Sequence, residues 1–240
     1  MSDAANGLTP GPYDLCVAGV EPFSTVDYPG QLAAVVFLQG CPWRCAYCHN
    51  PHLQATGPGD GLRWFALLDW LRTRVGRLDA VVFSGGEPTL DPALPAALLA
   101  LRALGFKLGL HTAGLAPRRL ADVLPHVDWV GLDVKASLGD SCLHARITGR
   151  AGSHRSVQQS LAVLSASSVA YEVRSTIHPR WFSDADVLQL VQDHRKAPSH
   201  VLQVARLRDA QGRPALPPDY PSTALLSAAR AIRPDLVLRR

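Results

Sequence analysis

"LAAVVFLQGCPWRCAYCHNP", residues 32–51, joins an unbroken apolar run to three cysteines, Cys41, Cys45 and Cys48, spaced C-x3-C-x2-C. The run at 32–38 has the length and the β-branched content of a parallel strand buried on both faces. The cysteines begin where that strand would end. Five further runs of the same kind follow, at 80–83, 107–111, 129–134, 170–177 and 201–204. Amphipathic stretches at 62–75, 93–104, 117–124, 157–165 and 184–195 alternate with them. Pro117 suits a first helical turn, and Asp184 caps or leads a helix. Strand and helix in alternation predict an α/β fold with a parallel sheet and right-handed crossovers. The pattern leaves open whether that sheet is doubly wound or closed into a full or partial barrel.

The chain's 240 residues, 47% of them hydrophobic, suffice for one barrel-sized domain over residues 1–240. Its core is expected at about 30–206, with 207–240 as a C-terminal extension. Pro/Gly-rich pieces at 9–12, 57–61 and 212–221 read as loops. The net charge of +4 is dispersed, with no basic block longer than Arg118-Arg119 or Arg239-Arg240. Nucleic-acid binding is therefore not indicated. The N-terminus lacks the basic and apolar regions of a signal peptide, and no run approaches a membrane span. The expectation is a cytoplasmic protein without a membrane partner, whose grouped cysteines bind metal or do redox chemistry.

Polar residues gather at the predicted strand ends. The cysteines follow the first strand, "SGGEPT" (84–89) the second, "HTAG" (111–114) the third, "DVK" (133–135) the fourth and "RSTIHP" (174–179) the fifth. Gln203 and Arg206 stand at the sixth. In α/β folds the C-terminal edge of the sheet is where sites are built, because the strands fix several loops around one crevice.

Three chemistries compete for the cysteines. Cys45-Ala46-Tyr47-Cys48-His49 matches the C-x-x-C-H haem attachment, but leaves Cys41 idle. Structural zinc would need a fourth ligand, which His49 or His52 could supply. A cubane iron–sulfur cluster normally takes four thiolates. Three would leave one iron open to a small molecule. Cys16 could be the fourth, although it lies outside the motif loop, and Cys142 reads as an incidental thiol.

Cys41, Cys45, Tyr47 and Cys48, followed by Gly85-Gly86-Glu87, resemble the radical S-adenosylmethionine superfamily. The wider stretches "STVDYPGQLAAVVFLQGCPWRCAYCHNP", "VVFSGGEPTL", "VDWVGLDVKA", "ITG" and "VRSTIHP" resemble glycyl-radical-enzyme activating proteins, of the anaerobic ribonucleoside-triphosphate reductase activating type. The resemblance implies a partial (β/α)6 barrel with a [4Fe–4S] cluster on Cys41, Cys45 and Cys48, and S-adenosylmethionine on the fourth iron. It implies reductive cleavage to a 5′-deoxyadenosyl radical and hydrogen abstraction from a partner, the catalytic subunit of anaerobic ribonucleotide reductase. An electron donor such as flavodoxin or ferredoxin is implied as well. The alternatives are a radical enzyme acting on a small molecule, as in deazapurine synthesis, and a zinc-stabilised binding module.

On that resemblance Gly85 and Gly86 permit close approach to the cofactor, and Glu87 accepts from its ammonium group. Asp133 and Lys135, two apart on a strand end, share a face. They are expected to meet the cofactor's ribose or carboxylate and the substrate backbone, as the catalytic pair. Arg174 and His178 resemble a strand that reaches the cofactor. Tyr47 is expected beside the adenine or over the cluster. His111 stands where similar activases carry an acidic residue, and either contacts the cofactor or is structural.

Overall fold

The computed structural model describes residues 15–56, 62–206 and 215–239. The segments 9–12 and 57–61, and part of 212–221, lie outside them. Eight strands form one sheet in chain order: β1 (Val17–Ser24), β2 (Ala33–Leu38), β3 (Ala80–Gly85), β4 (Lys107–Thr112), β5 (Trp129–Asp133), β6 (Ala170–Ile177), β7 (His200–Val204) and β8 (Val237–Arg239). Strands β2 to β8 are parallel, and β1 pairs antiparallel with β2. The helices are α1 (Trp64–Arg72), α2 (Leu94–Ala103), α3 (Pro117–Val123), α4 (Ser141–Thr148), α5 (Ser153–Ser165), α6 (Asp184–Asp193) and α7 (Thr223–Ile232). The sheet curls but does not close, since β1 and β8 remain its two edges. The architecture is a partial (β/α)6 barrel with one strand added at each side.

All six predicted strands and five predicted helices are present, and four elements were not foreseen. Strand β1 contains Gly19 and Pro22 and shifts register twice against β2, so it has no regular alternation to read. An edge strand tolerates such residues. Helix α4 buries His144 and Thr148 as fully as Ile147, which hides its apolar stripe. Helix α7 and strand β8 fall within the expected extension, so the sheet passes the anticipated core limits of 30 and 206 at both ends. Asp184 leads α6, and the cap itself is Ser183, in a reciprocal capping box with Asp186.

Alternation along the strands separates two cores. Ala34, Val36 and Leu38 of β2 face the helices, where Trp64, Leu67, Leu68 and Leu71 of α1 form one buried stripe. Ala33 and Val35 face inward with Ala80, Val82 and Trp129. Tyr28 stacks on Trp129 with ring centroids 5.2 Å apart. These inward side chains plug the barrel below His111, whose ring meets Trp129 edge-on at 5.6 Å. What space remains inside lies above that plug, at the strand C-termini.

Candidate active site

The cysteine loop is held from three directions. Gly40 N–H and Cys41 N–H donate to Leu53 O and Gln54 O, Glu87 N–H donates back to Gly40 O, and Arg44 and Ala46 N–H donate to Thr148 O and Ile147 O. The last pair ends helix α4, which stops at Gly149 in the left-handed region (φ 68°). A Cβ at Gly149 would come within 3.2 Å of the Arg44 backbone oxygen at a positive φ, so glycine lets the helix end against the loop without strain. Behind it His144 Nδ1 bonds Ser153 Oγ at 2.7 Å, and Thr148 Oγ1 bonds both His144 O and Ser153 Oγ at 2.8 Å. "ITG" was visible in the sequence, but nothing there assigned it to the cysteine loop.

Cys41, Cys45 and Cys48 line a cavity of about 200 Å³ with Tyr47, Gly85, Gly86, His111, Asp133, Lys135, Arg174 and Gln203. Five predicted strand ends and the weakly marked sixth thus converge on one space. Burial pushes the Cys41 thiol up to about 11 and that of Cys45 upward, so each keeps its proton until a cation takes the sulfur. All three are free thiols with partial exposure. Among the described residues no three His, Cys, Asp or Glu side chains converge as ligands of a single ion would. A cube places each thiolate on its own iron, and three thiols on one loop lining the cavity suit it.

Opposite the cysteines, Asp133 accepts from Lys135 Nζ at 2.8 Å and from Arg174 Nε at 3.0 Å. Burial works to raise the Asp133 carboxyl, but the two cations hold it well below its usual range. Burial likewise opposes the charged Lys135, and Asp133 outweighs it and raises that ammonium. Two cations on one carboxylate leave a net positive charge facing the cavity, which suits a ligand carboxylate.

Two residues expected to contact the cofactor, Glu87 and His178, lie outside the cavity lining. Glu87 is buried and absent from the lining: Oε1 accepts from Thr89 Oγ1 and Thr112 Oγ1, and Oε2 from Ala113 N–H. It ties the exit of β3 to that of β4. A Cβ on Gly86 would overlap Gly40 O, and one on Gly85 the Leu38 backbone, so these glycines first let β3 pack against the cysteine loop. His178 also lies outside the lining, with Nε2–H donating to Ala215 O and Nδ1 accepting from Arg180 N–H. The two nitrogens hold the turn after β6.

His111 faces the cavity, and its Nε2–H donates to Asp27 O at 2.8 Å. Burial, then Arg174, depresses it to about 3, so it is a neutral ring. Tyr47 is buried, donates to Lys135 O at 3.2 Å and packs edge-on against Trp181, so it also fastens the cysteine loop to the exit of β5. Arg206 lies beside a second cavity of about 410 Å³, which shares His49, Arg174 and Gln203 with the first and is bordered by Asp27 and Arg239. This space opens between the two edges of the sheet.

The residues present fit a cluster and a cofactor that bears a carboxylate, and similarity to known proteins points the same way. Residues 35–191 match the Radical SAM superfamily. A Methanocaldococcus jannaschii protein named as a glycyl-radical enzyme activating enzyme is 28% identical over 202 residues, covering 81% of each chain. The pyruvate formate-lyase-activating enzyme of Clostridium pasteurianum is 36% identical over 124 residues, 50% of this chain and 52% of that one. In three dimensions Streptococcus suis SuiB bound to S-adenosylmethionine superposes with a TM-score of 0.64 at 16% identity, covering 83% of this chain and 48% of that one. The chain belongs to the radical S-adenosylmethionine superfamily, whose [4Fe–4S] cluster and S-adenosylmethionine are the cofactors this cavity serves.

Proposed function

We propose that the protein activates a separate glycyl-radical enzyme, of the anaerobic ribonucleotide reductase type, using an electron from a carrier such as flavodoxin or ferredoxin. The observation that carries this reading is the second cavity, which adjoins the cofactor space across His49, Arg174 and Gln203 and lies beside the gap between β1 and β8. Such a side opening admits an extended peptide loop. The activating enzymes among the similar proteins support the same class.

When bound, the cluster and S-adenosylmethionine would supply reductive cleavage of the sulfonium C–S bond and, through it, abstraction of a hydrogen atom from a glycine Cα. Cys41, Cys45 and Cys48 would hold the cluster, and Lys135 and Arg174 the cofactor's carboxylate. Asp133 fixes both cations in place. Neutral His111 adds no charge beside them, and Glu87 keeps the β3 and β4 exits in register. The plug of Tyr28 and Trp129 closes the cavity from below. Positioning of the entering loop sets the rate, since hydrogen transfer needs near-contact geometry.

The test is electron paramagnetic resonance of anaerobic mixtures with a ribonucleotide reductase catalytic subunit and, separately, pyruvate formate-lyase. A glycyl doublet on the reductase, lost when its radical glycine is changed to alanine, is expected. A doublet on the lyase alone would reassign the partner, and turnover of a small molecule with no protein radical would contradict the activase reading.

A further inference from the structure

Three side chains border both the cofactor cavity and the cavity beside the gap: His49, Arg174 and Gln203. Two of them are already engaged, since Arg174 Nε donates to Asp133 at 3.0 Å and His49 Nε2 accepts from Arg206 N–H at 3.1 Å. The half-buried Gln203 carboxamide makes no hydrogen bond with another described residue. Nearby charges are committed as well: Arg239 grips Glu172 through two bonds of 3.0 and 3.3 Å, and Asp27 accepts from Ser24 Oγ. Strand register gives Gln203 its place. It stands level with Thr176 of β6 on one side and Arg239 of β8 on the other, and residues level on parallel strands share a face. Thr176 lines the cofactor cavity, Arg239 the second one and Gln203 both, so this row of three leads from the cofactor space to the open edge.

Resting on the activase reading, we propose that Gln203 recognises the substrate, its carboxamide pairing with a main-chain amide group of the entering loop beside the reacting glycine. Glycine carries no side chain, so a protein that selects it can hold that point of the loop only through N–H and C=O groups. A carboxamide offers donor and acceptor in one plane, as a peptide group does, and so can answer both at once. Being neutral, it asks for no counter-charge from the loop, in contrast to the ion pairs on either side. The amide neither gives nor takes the hydrogen atom. It sets the distance of the glycine Cα from the cofactor, on which the transfer depends steeply. A ligand without a peptide group would leave the carboxamide unpaired in a half-buried place, which selects against it.

The experiment uses cluster-reconstituted full-length protein with Gln203→Met, which keeps the side chain's length without its amide, and Gln203→Asn, which keeps the amide on a shorter arm. Each is mixed with a reductase catalytic subunit and, separately, with pyruvate formate-lyase, and glycyl radical and methionine are measured against partner concentration. Iron content, thermal midpoint and S-adenosylmethionine affinity are measured alongside. The expected result for Gln203→Met is a fall of roughly tenfold in radical formed per methionine released, with a raised KM for the partner and with iron content and cofactor affinity close to wild type. Gln203→Asn should fall between the two. An unchanged ratio and KM in both variants would overturn the proposal while leaving the activase reading intact. Weakened cofactor affinity with an unchanged ratio would also overturn it, assigning Gln203 to the cofactor. So would a lowered thermal midpoint with radical and methionine falling in parallel, which marks a structural role. Wild-type protein that turns over a small molecule and gives neither enzyme a radical contradicts the activase reading itself, and this proposal with it.

Discussion

At the scale of single residues, the cysteines divide into two groups. Replacing Cys41, Cys45 or Cys48 with alanine should abolish [4Fe–4S] incorporation on reconstitution, whereas Cys16→Ala and Cys142→Ala should retain it, as read by iron analysis and visible absorption. Stoichiometric zinc with no iron in the wild type would contradict that assignment. Glu87→Ala should cost about 1.5–3 kcal/mol in urea unfolding, because the Thr89, Thr112 and Ala113 donors lose a buried carboxylate. Unchanged stability would place Glu87 back among residues that face only the cofactor. The cysteines were legible because their spacing is itself a chemical constraint. The orientation of Glu87 and His178 was not, since the same residue types at strand ends serve a ligand or the backbone equally well, and only the neighbouring N–H and C=O groups decide.

Among the elements, α4 has the most to do with the site while showing the least in sequence. Its apolar signal is reduced to Leu143 and Ile147, with His144 and Thr148 filling the rest of the buried face. Thr148→Val keeps the shape and removes the hydroxyl bonded to His144 O and Ser153 Oγ. It should lower stability by about 1 kcal/mol and speed cluster loss to a chelator, with Thr148→Ser close to wild type. Equal chelation rates in all three would separate α4 from the cysteine loop. At the other end of the barrel, β7 and α6 bring His200 and His194 together under Arg233 and Asp235, with ring centroids 5.4 Å apart. Burial depresses His200 to about 3 and His194 to about 4. The unfolded chain takes protons near pH 6.5 that the folded chain refuses, so stability is full above that value and falls as pH drops toward 4. Thermal midpoints of the apo protein should decline over that window, with a shallower slope in His200→Asn. An unchanged slope in that variant would assign the decline to other groups.

Across the whole molecule, the six parallel strands were readable because strands covered on both faces become continuous apolar runs. The edges were not, because β1 is irregular and β8 has three residues. Those edges matter for function: they leave the barrel open beside the cofactor cavity, where Arg174, Gln203 and His49 border both spaces. A catalyst so arranged can act on a loop that belongs to another protein. The most direct measurement follows the hydrogen atom. With the proposed partner, a reductase catalytic subunit labelled with dideuterated glycine, mixed with this protein, S-adenosylmethionine and a reductant, 5′-deoxyadenosine should carry one deuterium by mass spectrometry, in step with the glycyl radical signal. Full cofactor cleavage that yields only unlabelled 5′-deoxyadenosine would contradict the account.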